Sequence, residues 1–434
     1  MTVPLSILDL SPVPSGGGVA DALRNTVDLA RRAEELGYRR FWVAEHHFAT
    51  GVAGSAPAVL VGLIAAATRR IRVGSGAVLL GHQTPAAVVE QFGLVDALHP
   101  GRIDLGIGRS GRRREEFAAR ESASGRDSAS TAESASGRDS ASTAESVTTA
   151  ESAPESAPES GSASRAESAT ETGSASTSGP DQPADRGPAG WRTVDGLLIP
   201  APFSYAELAR SPELAFQESL LQQPGASTPD FAEQVDDIIA FLRGTYRSAD
   251  GLTAHAVPGE GADLALWILG SSAGQSARLA GKLGLPFAAN YHVSPATVLE
   301  AVEAYRDAFT PSQVLAEPYV LVSADAVVAP DDATARELAK PYALWVHRIR
   351  TAKGAPPYPT PAEADAFPWT AWDRALVADR VETQFVGSPE TVVAGLRVLR
   401  RATGADEVLV TTITHGHADR VRSYELLAAA WENG

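Results

Sequence analysis

The feature that most constrains this chain is a rhythm in which short apolar runs alternate with stretches of helical periodicity. Residues 5–10, the run opening at Phe41, residues 71–76 and residues 103–108 each read as a buried strand. Between them, residues 21–36, 57–68 and 85–98 read as helices, the first closed by Gly37 where a helix C-cap belongs. The same alternation resumes after residue 230. Helices are predicted over 231–242, 275–283, 296–309, 331–350, 389–401 and 419–431, and strands over 264–269, 286–289, 318–328 and 407–412. A proline-rich loop carrying Trp369 and Trp372 is expected between the helix at 331–350 and the one at 389–401. Strands that alternate with helices through short connections lie parallel, with crossover helices. Eight strand candidates with helical partners predict an α/β protein, a (β/α)8 TIM barrel rather than an open sheet.

Such barrels run to about 250 residues, and this chain has 434. The surplus is concentrated after the fourth strand. Residues 121–132 and 133–144 are one twelve-residue unit, Glu-Ser-Ala-Ser-Gly-Arg-Asp-Ser-Ala-Ser-Thr-Ala, repeated without change. Degenerate copies built on Glu-Ser-Ala-Pro continue to near Gly190. The unit offers no leucine, isoleucine, valine or aromatic side chain to bury, so it cannot offset the entropy of ordering. Residues 113–190 are therefore expected to be a disordered insertion in a single domain spanning 1–434, with a binding linker as the alternative. Residues 191–229 read as a transition.

Composition excludes several function classes. A formal charge of -16 argues against nucleic acid and anionic membranes as partners. With no cysteine, disulfides, thiolate metal sites and cysteine nucleophiles are ruled out; no metal site is predicted. The first residues lack a basic region followed by an apolar core, and no apolar run is long enough to span a bilayer. A cytoplasmic location is expected.

Chemistry-bearing residues gather where strands end. The second strand runs into Glu45-His46-His47-Phe48. Adjacent side chains on extended backbone point opposite ways, so one histidine at most faces a given pocket while the other packs behind it. The third strand ends in Gly74-Ser75-Gly76-Ala77, permitting either close approach of a flat ligand or merely a tight turn. The fourth contains Gly106-Ile107-Gly108-Arg109-Ser110-Gly111, a literal G-x-G-x-x-G. A dinucleotide site would need a helix to open there and an acid about 20 residues on. Here Arg112-Arg113-Arg114 and low-complexity sequence follow, which leaves Arg109 as a cation at the strand mouth or a surface arginine. After the fifth strand, Gly270-Ser271-Ser272-Ala273-Gly274-Gln275-Ser276 opens a helix, a phosphate site or an ordinary serine N-cap. In a barrel all four segments fall on one face, and together they suit a phosphorylated planar cofactor.

These segments resemble bacterial luciferase and the luciferase-like flavin-dependent monooxygenases. Glu45-His46-His47-Phe48 is similar to the luciferase α-subunit motif, and Gly101-Arg102-Ile103-Asp104-Leu105-Gly106-Ile107-Gly108-Arg109 to the family's fourth-strand segment. Gly284-Leu285-Pro286 and Val386-Gly387-Ser388-Pro389-Glu390 match as well. The resemblance implies FMN in the barrel mouth, near Glu45, with its phosphate at Ser271, Ser272 and Ser276 assisted by Arg109. Where the family has an acid near the start of the phosphate loop, this chain has Gly270 and serines. A non-proline cis peptide against the flavin would map to Gly76 and Ala77. His46 would be the base or hydrogen-bond partner of a flavin C4a-peroxide, with His47 the second choice, and the segment with Trp369 and Trp372 a lid. The implied activity is a monooxygenase using FMNH2 and O2 on an unidentified small organic substrate, its reduced flavin supplied by a separate NAD(P)H:flavin reductase. A homodimer is expected. An F420-dependent oxidoreductase on the same fold and a non-catalytic flavin-binding protein are the alternatives.

Overall fold

Fully buried parallel strands select near-continuous apolar runs, and eight such runs form the sheet. In chain order they are β1 (Leu5–Asp9), β2 (Arg40–Val43), β3 (Arg72–Ser75), β4 (Ile103–Gly108), β5 (Ala265–Gly270), β6 (Phe287–Asn290), β7 (Val320–Val328) and β8 (Glu407–Thr411). Each pairs in parallel with the next, and β8 returns to β1, so the sheet closes into the expected barrel. The computed structural model describes residues 3–109, 190–204, 210–351 and 354–432, all within one compact unit. Residues 113–189 of the expected insertion lie outside the described residues.

Alternation along each strand separates two cores. Outward residues such as Ile7, Phe41, Val43, Val73, Ile107, Phe287 and Val322 join the large core under the helices. Inward residues Leu8, Trp42, Ala44, Trp267, Ala288, Leu321 and Leu409 fill the barrel. Close approach of β3 and β4 requires glycine: a Cβ on Gly74 would lie 2.3 Å from the Asp104 carbonyl oxygen, and one on Gly106 would lie 2.1 Å from that of Ser75. Gly106, the first of the three glycines in the apparent dinucleotide motif, is thus consumed by sheet packing.

Below the inner apolar layer lies a floor of charge. Asp104 accepts from Arg40 Nη1 at 2.8 Å, Arg72 Nε at 2.8 Å and the Trp42 indole at 2.9 Å. Glu407 accepts from Arg40 Nε at 2.9 Å, from the Tyr319 hydroxyl at 2.8 Å and from Ser6. The Arg40 guanidinium also lies 4.6 Å from the centroid of the Trp267 ring. Asp104 and Glu407 are wholly buried; burial opposes Arg40's charge, but its two carboxylate partners outweigh that and raise its pKa.

Elsewhere the structure corrects the sequence reading. The proline-rich stretch contains two helices, Pro361–Ala366 and Ala371–Val381, each opened by a capping box, Thr360 with Glu363 and Thr370 with Asp373. Proline occupies the first helical position of the former, where its missing N–H costs nothing. Residues 191–229 hold an antiparallel hairpin, Arg192–Val194 with Leu197–Ile199, and the helix Pro212–Ser219. The second of the two capped helices, through Val377, joins Asp332–Thr351 and Tyr358 in a third core against Val52 and Ile413, beside the C-terminal strand ends.

Asp104→Ala leaves two guanidinium groups and an indole without their acceptor. It is expected to destabilise the fold by about 3–5 kcal/mol, read as a lowered urea midpoint at unchanged m-value.

Candidate active site

The strand alternation continues past β2 and decides which histidine faces inward. Arg40, Trp42 and Ala44 point into the barrel, so His46 shares their side, while Glu45 and His47 turn outward. The backbone stays anchored beyond the strand, with Ala44 N–H donating to Asp9 at 3.2 Å and His46 N–H to Gly54 at 2.7 Å.

On the outward side, the buried Glu45 carboxylate accepts from His47 Nε2 at 2.8 Å and from Leu79 N–H at 2.9 Å. The acid therefore fixes His47 with its proton on Nε2. His47 packs edge-on against His82 with centroids 5.4 Å apart. Both rings line an outer cavity of about 540 Å³ with Gln83, Gln91 and Leu94. Burial, then proximity to His47, pushes His82 down to about 4.

On the inward side, His46 Nδ1 is buried without a hydrogen-bond partner. Burial first, and His47 second, push its pKa down to about 4. His292, two residues past β6, is its electrostatic neighbour and is pushed to about 3 by burial, then by Arg380 and His46. His292 Nδ1 lies 2.7 Å from Ser323 Oγ on β7. Next along the inward row of β7, Asp325 accepts from the Tyr342 hydroxyl, which in turn accepts from Arg380 Nη2 at 2.6 Å. Burial raises the pKa of Asp325, against the lowering effect of Arg380 and Tyr342.

Around the arc from β3 to β5, the Gly76–Ala77 peptide is cis and Arg109 follows the last residue of β4. The helix Gln275–Lys282 opens after β5 with Gly274 as its N-cap and no side chain capping its first turn. Ser276 is buried in that turn, Ser272 is exposed, and the Ser271 carbonyl accepts from the Thr297 hydroxyl. His46, Gly76, Ala77, Arg109, Ser271, Ser272 and Ser276 thus follow the C-terminal ends of β2 to β5, and His47 with Glu45 forms the wall behind. Trp369 packs on Phe367 and His347, as does Trp372 on His347, with Trp372 largely exposed.

The motif-based reading passed over His292, Ser323, Asp325, Tyr342 and Arg380. A signal was available for the first three: counting by twos from Ala288 reaches His292, and from Leu321 it reaches Ser323 and Asp325.

The family model for luciferase-like monooxygenases matches residues 3–134 and 221–407. The chain belongs to the luciferase-like monooxygenase family. The stretch between the two matched segments covers most of the low-complexity insertion. The chain is 35% identical over 432 residues to the Bacillus subtilis (strain 168) protein YvbT, covering 99% of this chain and 97% of that one. It is 29% identical over 427 residues to an Escherichia coli (strain K12) protein named luciferase-like monooxygenase, covering 98% and 96%. Among solved structures, apo-MsnO8 superposes with a TM-score of 0.67 at 28% identity, covering 99% and 98% of the two chains.

The depressed histidines of this luciferase-like mouth predict a pH dependence. His46 and His292 bind protons less readily folded than unfolded, so their contribution to stability is complete above the unfolded pKa near 6.5 and is lost as pH falls toward 4 and 3. Urea unfolding should lose up to about 2 kcal/mol per histidine between pH 7 and pH 5. The His46→Gln, His292→Gln double variant should show a flatter profile.

Proposed function

We propose that this luciferase-like protein is a monooxygenase that uses FMNH2 and O2 on a small organic substrate. The observation that carries the reading is the uncapped N-terminus of the helix Gln275–Lys282 at the mouth. Free N–H groups and the positive end of the helix dipole there suit a phosphate dianion, with Ser271, Ser272, Ser276 and Arg109 alongside. The segment Gly76–Ala77 and the orphaned His46 Nδ1 provide a surface and a polar atom for a flat heterocycle. Reduced flavin, when bound, supplies the electrons for activation of dioxygen.

The chain's own contribution is positioning and a dry, uncharged wall. His46 stays neutral near pH 7 because burial opposes its protonation, so it can accept or donate a hydrogen bond without bringing charge to the mouth. Glu45 and His47 brace the strand end from behind. Since Gly106 is spent on sheet packing, we assign reduction of the flavin to a separate NAD(P)H:flavin reductase. We assign the chain to a homodimer on the strength of a second feature. The helices Pro57–Ala67 and Pro85–Leu98 pack side by side and expose Val59, Leu63, Leu94 and Leu98 to solvent, an apolar patch that a second copy would cover.

Anaerobic titration with FMNH2 followed by mixing with oxygen tests the reading. Bound flavin should return to its oxidised spectrum many times more slowly than free reduced flavin in air. Binding of F420 in place of FMNH2 would overturn it. His46→Ala should keep FMN affinity within about threefold, the loss of at most one weak hydrogen bond, while abolishing the slow phase. Retention of that phase would favour a protein that binds flavin without turnover. Removing residues 115–188 should leave FMN affinity unchanged in the same titration.

A further inference from the structure

We propose that His292 is a specificity-determining residue whose Nε2 lone pair accepts a hydrogen bond from a hydroxyl or amide N–H of the substrate. The proposal deepens the reading above and rests on the mouth being the substrate site. It begins with counting protons at Ser323. A serine hydroxyl carries a single proton, and Ser323 directs its own to the Ala289 carbonyl, 3.3 Å away on β6. We assign the Ser323 proton to Ala289, and on that assignment the 2.7 Å contact with His292 Nδ1 is a bond that the ring donates and Ser323 accepts. A neutral imidazole has one N–H, so Nε2 is left bare, an acceptor and not a donor.

Two surroundings keep it that way. Ser323 is buried in the wall of β7, so the anchor cannot rotate away into solvent. Arg380 and His46 face the ring, and each disfavours a second proton; burial does the same. The imidazole therefore remains a fixed acceptor throughout the physiological range. His292 as a residue is half-buried, and among the described residues no group donates to its Nε2. An acceptor held in this way takes its partner from water or from a ligand, and a site built around such a bond rejects analogues that lack the donor. The position opposite His46 puts the bonded group beside the place assigned to the flavin. The substrate class that fits is an uncharged molecule with a hydroxyl or amide N–H; an ether or ester of the same shape offers acceptors only.

The test uses the full chain with ¹⁵N-labelled histidine, and two probes, benzyl alcohol and benzyl methyl ether, in which a methyl group replaces the hydroxyl proton. Long-range ¹H–¹⁵N correlation, with His292 assigned by its loss in His292→Phe, should show a protonated Nδ1 and a bare Nε2. Benzyl alcohol should move the Nε2 resonance and the ether should not. The alcohol's Kd should rise roughly fivefold in His292→Phe, as expected for one hydrogen bond, with the ether's unchanged. Ser323→Ala supplies a second arm that keeps the imidazole: it should release the tautomer to a mixture and weaken the preference for the alcohol. A proton on Nε2 in the parent protein, an equal response to the two probes, or none to either, would overturn the proposal. Flavin is absent from these measurements, so an FMN titration of the same sample reports separately on the monooxygenase reading.

Discussion

Asp104 holds two guanidinium groups and an indole on its two carboxylate oxygens, deep inside a closed barrel. A buried charge survives only when its partners are placed well enough to replace water. Here the partners come from β2 and β3, and Arg40 passes the linkage on to Glu407 on β8 and so to Tyr319 at the entry to β7. With Ser6 of β1 also donating to Glu407, six neighbouring positions from β7 round to β4 are tied at one height. The floor closes one end of the interior and fixes the height at which every strand emerges at the other. The mouth inherits its geometry from that level: which residues end each strand, and which way they face, follow from where the ionic layer pins the register.

Much of the fold was legible because parallel, doubly buried strands leave apolar runs and their crossover helices leave periodic ones. Seven of the eight strands fall within two residues of where hydrophobicity placed both ends, and β2 begins one residue before the predicted run. What escaped was short or locally disguised. The strands Val78–Leu79 and Phe385–Gly387 have too few residues to show a period. The helices Pro361–Ala366 and Ala371–Val381 hid behind prolines that sit before or at a helix start. The charged floor escaped for another reason: Arg40 and Asp104 look like strand edges in a linear reading, and only closure of the sheet turns them toward each other.

The site was legible along half of its rim. Strand ends two to five carry residue types that announce themselves: paired histidines, glycines, an arginine, a serine-rich helix start. On β6 and β7 the residues are ordinary in type and take their meaning from position. His292 follows Asn290, whose side chain accepts from Val293 N–H to turn the chain. Ser323 and Asp325 lie inside an otherwise apolar run of nine. No motif contains them, yet His292 among them is an electrostatic neighbour of His46. The adjacent pair His46 and His47 shows the same principle from the other direction. Chemistry alone made them equivalent, and parity separates them into one ring at the mouth and one clamped by Glu45.

That parity has a consequence for how such a chain can vary. Between the ionic floor at Arg40 and the inward ring at His46, side and residue count are locked together. Losing or gaining one residue there would bring an outward side chain to the mouth, withdraw His46 into the wall and break the clasp between Glu45 and Leu79. The segment can therefore tolerate exchange of one side chain for another but no change of length. The connection from β4 to β5 is bound by no such rule. Tens of low-complexity residues follow Arg109, while the seven positions from Arg40 to His46 leave no room for one more.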